Sequence, residues 1–117
     1  MPLSTNLDKR NEDIKIYING EFFHRDQAKI SVFDSGFLLG DGIWEGIRLV
    51  NNTWLFLDEH LNRLYEGCKA IDIQLDEDKK FVTNAIIETQ KINNITDAAH
   101  ARVMITRGNK ILSLIHI

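Results

Sequence analysis

An α+β fold is what this sequence predicts: a small two-layer domain with a mostly antiparallel sheet and two helices. Three observations predict it. Two pairs of short strand-like runs are joined by the turn dipeptides Asn19-Gly20 and Asn51-Asn52. Two longer stretches carry apolar residues at helical spacing. Strand runs and helix runs come in blocks, in the order hairpin, hairpin, helix, helix, strand, which separates α+β from an alternating parallel sheet.

The elements follow in chain order. Residues 1–13 are polar, lack the apolar middle of a signal peptide and read as a mobile leader. Ile14-Lys15-Ile16-Tyr17-Ile18 alternates as a half-buried strand does, and Asn19-Gly20 turns it back into Glu21-Phe22-Phe23-His24. A reversal near Arg25-Asp26 and a short extended piece over 28–33 follow. The glycine-rich stretch 36–42 leads into a strand over 43–50, which pairs with 53–57 across Asn51-Asn52. Asp58 is the expected N-cap of the first helix, whose stripe is Leu61, Leu64, Tyr65, Cys68 and Ile71. A second helix is expected from Asp76, with Val82, Ala85, Ile86, Thr89 and Ile92 as its buried face. Asn93-Asn94 ends it, and 101–106 reads as a last strand before Arg107-Gly108. Residues 112–117, Leu-Ser-Leu-Ile-His-Ile, match the translation of a sequencing-adapter read-through, so the natural chain is expected to continue past about Lys110.

Composition bounds the function. The 117 residues carry 14 Lys+Arg against 17 Asp+Glu, a net charge of −3, with 44% hydrophobic residues. A chain of this size buries roughly two-thirds of its unfolded surface, enough for a core. Mild acidity without a basic cluster argues against nucleic acid or an anionic membrane as partner. No apolar run nears the ~20 residues of a membrane span. One cysteine excludes an internal disulfide, and the cytoplasm is the default compartment.

Most chemical signatures fail on inspection. Gly40-Asp41-Gly42 precedes a strand, not a helix, with Gly46 one place too late for a dinucleotide fingerprint. His24, His60, His100 and His116 are scattered and make no metal-ligand pair. Cys68 lies on an apolar stripe, and neither Ser31 nor Ser35 sits in a nucleophile elbow. Two places resist a purely structural account. Gly42 and Gly46 flank Trp44, which fits either a bulged hairpin around a core tryptophan or a strand edge against which a small molecule lies. Arg63 points away from its helix's apolar stripe; it is either paired with Glu59 and Glu66 on a solvated face or a bidentate anion receptor.

Several blocks resemble one family. Tyr17-Ile18-Asn19-Gly20-Glu21-Phe22, Ser31-Val32-Phe33-Asp34-Ser35-Gly36-Phe37 and the run from Leu39-Gly40-Asp41-Gly42 to Glu45-Gly46-Ile47-Arg48 resemble the N-terminal domain of class IV aminotransferases. His60-Leu61-Asn62-Arg63-Leu64 matches the family's H-x-x-R-L helix, and 102–108 its next core strand. The resemblance implies that residues 14–111 are an incomplete N-terminal domain of a two-domain, pyridoxal 5′-phosphate-dependent enzyme. That enzyme would exchange an amino group between a branched-chain or D-amino acid and a 2-oxo acid, and would be a homodimer. It implies that Arg63 binds the cofactor phosphate, that Trp44 walls the substrate pocket with Gly46 giving room beside it, and that Arg48 borders it. Leu39 stands where branched-chain members often carry tyrosine, so no phenol contact exists there. It also implies that no catalytic residue lies in this chain: none of Lys69, Lys79, Lys80, Lys91 or Lys110 matches the lysine that carries the cofactor. Aminodeoxychorismate lyase, which eliminates pyruvate, is the alternative within the family. A non-catalytic α+β binding or dimerisation module is the alternative outside it.

Overall fold

The computed structural model describes residues 8–109, so the adapter-like residues 112–117 lie outside them. Chain order is β1 (Lys15–Ile18), β2 (Glu21–His24), α1 (Ser35–Leu39), β3 (Gly42–Val50), β4 (Thr53–Trp54), α2 (Leu57–Ala70), α3 (Lys79–Ile92) and β5 (Ala99–Thr106). The α+β expectation holds. The strands form two antiparallel sheets rather than one, β1-β2 and β4-β3-β5.

Both hairpin turns are where the dipeptides put them. Asn19 and Gly20 take φ of 51° and 91°, and Asn51 and Asn52 take 48° and 62°, the left-handed pairs that suit tight hairpins. β1 pairs with β2 from Lys15↔His24 to Ile18↔Glu21. Asn93, at the end of α3, fastens this hairpin to the helices: its side chain accepts from Lys15 N at 2.7 Å and donates to Lys15 O at 3.0 Å.

β3 is the central strand of the second sheet. It pairs with β5 from Gly42↔Thr106 to Leu49↔Ala99, whereas β4 pairs only with Leu49 and Val50. Ile47 faces the helices and joins Leu61 and Leu64 of α2 and Val82 and Ile86 of α3 in the core. Cys68 is 1% exposed on the same stripe, as a small apolar residue would be, and burial pushes its thiol pKa up.

Several boundaries move, each for a local reason. Residues 28–33 form no strand; Asp34 N donates to Ser31 O, and Asp34 then caps the unexpected five-residue helix α1 through Gly36 N at 2.8 Å. Gly40 closes that helix at φ 65°. The return strand stops at Trp54 because Phe56 adopts φ 54° and turns the chain into α2. Asp58 is therefore inside the first helical turn and not its N-cap; its carboxylate accepts instead from Lys79 Nζ at 2.7 Å. The cap of α3 is Asp78, accepting from Phe81 N, and not Asp76. Ile92 is 45% exposed and leaves the expected buried face. Of the stretch expected as a mobile leader, residues 1–7 lie outside the described residues, and the rest makes local structure. Asp8 caps a 3-10 turn over Lys9–Asn11, and Arg10 donates to Asp97 O and Ala98 O at 2.7 and 2.8 Å.

Arg107, just past β5, ties the sheet to the loop that enters β3. Its guanidinium pairs with Asp41 at 2.7 Å and donates to the carbonyls of Ile71 and Asp72 beyond α2, where a cation suits the helix's negative end. No helix among the described residues is long and apolar enough to cross a membrane.

Candidate active site

Strand alternation divides the residues of interest between two faces of β3. Glu45, Ile47 and Leu49 are buried, while Trp44, Gly46 and Arg48 are exposed. Opposite the exposed set on β5 stand Met104, Arg102 and His100 respectively. The Arg102 guanidinium lies 4.6 Å from the centre of the Trp44 ring, a cation–π contact. Trp44 is 56% exposed, so the reading of a hairpin around a core tryptophan is wrong. This face offers an aromatic wall, two cations and a bare strip of backbone at Gly46, which suits a small anionic molecule with an apolar part.

The two glycines differ. A Cβ on Gly42 would lie 2.7 Å from Ile105 O of the paired strand, whereas one on Gly46 would meet only the Trp44 ring at 3.6 Å. Gly42→Ala is expected to cost about 1–3 kcal/mol by forcing the pair apart. Gly46→Ala is expected to be neutral or to stabilise by about 0.4–1 kcal/mol through the unfolded chain. Urea unfolding checks this, and equal losses at both positions would contradict the geometry.

On the helix side sits Arg63. Neither Glu59 nor Glu66 holds it. Its Nε and Nη2 donate to the Glu45 carboxylate at 2.9 and 2.8 Å, and His60 Nδ1 shares the same carboxylate at 2.7 Å. The Arg63 guanidinium holds the Glu45 carboxyl below its ordinary range; burial opposes this and His60 assists it. Arg63 is in turn pushed up by Glu45. Its side chain remains 71% exposed, and Nη1 has no hydrogen-bond partner among the described residues. With Phe56, Glu59 and His60 it lines an open depression of about 340 Å³.

Trp44, Gly46 and Arg48 are thus brought together, and Leu39, 67% exposed, ends α1 just before that strand. Arg63 is not on their face. What relates the two sets is an edge: no strand among the described residues pairs with β3 on the side away from β5 before Leu49. Glu45 with its helix partners flanks one side of this edge, and Trp44 and Gly46 flank the other.

A phosphate group fits the Arg63 side. Its outward guanidinium edge matches two phosphate oxygens. One arginine, half neutralised by Glu45 and neighboured by Glu59, makes one arm of a cradle and leaves the other donors to be supplied from elsewhere. No group of three or more His, Cys, Asp and Glu among the described residues could hold a metal ion.

Reasoning from sequence missed Arg102, Glu45 and His60 as members of these clusters. Glu45 carried a signal: an acid between Ile43 and Ile47 on an alternating strand faces the core and needs a cation.

Comparison with known proteins agrees with the fold. The family described as amino-transferase class IV matches residues 42–114. A Methanocaldococcus jannaschii protein named for branched-chain-amino-acid aminotransferase activity is 42% identical over 95 residues, 81% of this chain and 33% of its own. D-alanine aminotransferase of Staphylococcus haemolyticus is 33% identical over 94 residues, 80% of this chain and 33% of its own. The T.th. branched-chain amino acid aminotransferase, solved with N-(5′-phosphopyridoxyl)-L-glutamate, superposes with a TM-score of 0.75 at 25% identity, covering 84% of this chain and 34% of its own. The chain therefore spans about a third of the length of these two curated relatives.

Proposed function

We propose, from the premise that this chain belongs to the class IV aminotransferase family, that residues 14–111 are the incomplete N-terminal domain of a pyridoxal 5′-phosphate-dependent aminotransferase. The parent enzyme moves an amino group between a branched-chain or D-amino acid and a 2-oxo acid, and works as a homodimer. The observation that carries this reading is the Arg63 guanidinium, gripped on one edge by Glu45 of β3 and open on the other, with no hydrogen-bond partner for Nη1 among the described residues.

In this reading Arg63 binds the cofactor phosphate through its outer N–H groups. When bound, the cofactor supplies an electron sink for the negative charge left at the substrate Cα. Trp44 forms an apolar wall, Gly46 leaves space against the strand, and Arg48 borders the pocket with its positive charge. Leu39 adds an apolar contact without a hydroxyl. The amine that carries the cofactor lies outside this chain, because none of its lysines stands in the matching context.

The test has two parts. The 117-residue chain, mixed with pyridoxal 5′-phosphate and a branched-chain or D-amino donor, is expected to form no 2-oxo acid and to hold the cofactor weakly. Turnover by this chain alone would overturn the placement of the missing amine. The full-length enzyme is expected to convert at least one L-branched-chain or D-amino acid, and conversion of none would overturn the substrate class. Sedimentation of the full-length enzyme as a monomer would remove the homodimer.

A further inference from the structure

The cluster around Arg63 holds more than an anion receptor requires. Glu45 is 5% exposed on a strand face otherwise given to Ile47 and Leu49. A carboxylate there loses its water and persists only with both oxygens satisfied. Both are: Oε2 accepts from Arg63 Nε at 2.9 Å, while Oε1 accepts from Arg63 Nη2 at 2.8 Å and from His60 Nδ1 at 2.7 Å. An arginine whose side chain is 71% exposed would otherwise sample many rotamers. Of the five N–H groups a guanidinium owns, this grip uses the inner edge and leaves the outer Nη1–Nη2 edge, which has the same fork geometry.

We propose that Glu45, braced by His60, is a positioning residue for Arg63: it fixes the guanidinium by its inner edge so that the outer edge meets a phosphate monoester already oriented. This rests on the reading of Arg63 as the phosphate anchor. The negative charge of Glu45 also repels a phosphate, so orientation and repulsion act with opposite signs. Glu45→Asp separates them, because it keeps the charge and draws the carboxylate back by one methylene.

The experiment titrates the apo form of the full-length enzyme with pyridoxal 5′-phosphate and with pyridoxal, which lacks the phosphate. The ratio of the two Kd values is the phosphate preference. Glu45→Asp is expected to shrink that ratio by roughly five-fold or more, through lost preorganisation. Pyridoxal affinity, which does not use Arg63, is expected to stay unchanged. Arg63→Ala is expected to shrink the ratio further, and in that background Glu45→Asp is expected to change nothing. A ratio preserved in Glu45→Asp but lost in Arg63→Ala would overturn the positioning role and leave the phosphate reading standing. A ratio preserved in Arg63→Ala would overturn the phosphate reading itself.

Discussion

Arg63→Ala in the full-length enzyme is expected to weaken pyridoxal 5′-phosphate binding by about 10- to 100-fold. Hydrogen bonds to a charged group contribute about 1.5–3 kcal/mol, and every 1.4 kcal/mol is a factor of ten. The phosphate is a dianion near neutral pH, and Nη1 of Arg63 has no competing acceptor among the described residues to give up first. Arg63→Lys is expected to fall between wild type and alanine, since an ammonium restores charge but not the two-pronged fork. Fluorescence titration of the apo enzyme measures both. An unchanged Kd in Arg63→Ala would remove the phosphate role from this residue. The change also strips Glu45 Oε2 of its donor while His60 still holds Oε1, so a lower urea midpoint is expected beside the weaker binding, and the titration is made below that transition.

How much of this was legible in the sequence depends on the distance over which each feature is determined. Asn19-Gly20 and Asn51-Asn52 set their own backbone angles, so the hairpins were readable from neighbouring residues. Leu61, Leu64 and Cys68 recur along one helix and were readable from periodicity. Helix α1 was not, because five residues bounded by Asp34 and Gly40 are too few for a period to show. The start of α2 was misread for a related reason. Asp58 has the right chemistry for a cap, yet the left-handed turn at Phe56 begins the helix two residues earlier. At the site, Trp44, Gly46 and Arg48 share a face because strand alternation guarantees it. The partner of Arg63 was out of reach of local reasoning: Glu59 and Glu66 are its neighbours along the helix, but Glu45 lies 18 residues away on β3. A buried acid with both oxygens free to accept outcompetes exposed carboxylates that water already satisfies. Arg102 became visible only when the register of β3 with β5 set it opposite Gly46 and over Trp44.

Leu64→Ala, one position along the helix, is expected to spare the phosphate preference that Arg63→Ala loses. Leu64 is fully buried and packs in the cluster of Ile47, Leu61, Val82 and Ile86, where the sheet meets both helices. Truncating a buried leucine costs about 2–5 kcal/mol, the lost transfer energy plus the cavity left behind. That is a large share of the roughly 5–15 kcal/mol by which a whole domain is stable. The urea midpoint is expected to drop with the slope unchanged, because the surface exposed on unfolding stays nearly the same. Leu64→Met keeps the volume and is expected to cost less than about 1.5 kcal/mol. Below the melting transition the phosphate preference of Leu64→Ala is expected to match wild type, since the Glu45 grip fixes Arg63 through its own hydrogen bonds and not through Leu64. Adjacent residues on one helix would then separate what holds the domain together from what holds the phosphate. If Leu64→Ala lost the phosphate preference while still folded, the orientation of Arg63 would depend on core packing, and the carboxylate of Glu45 would not suffice to set it.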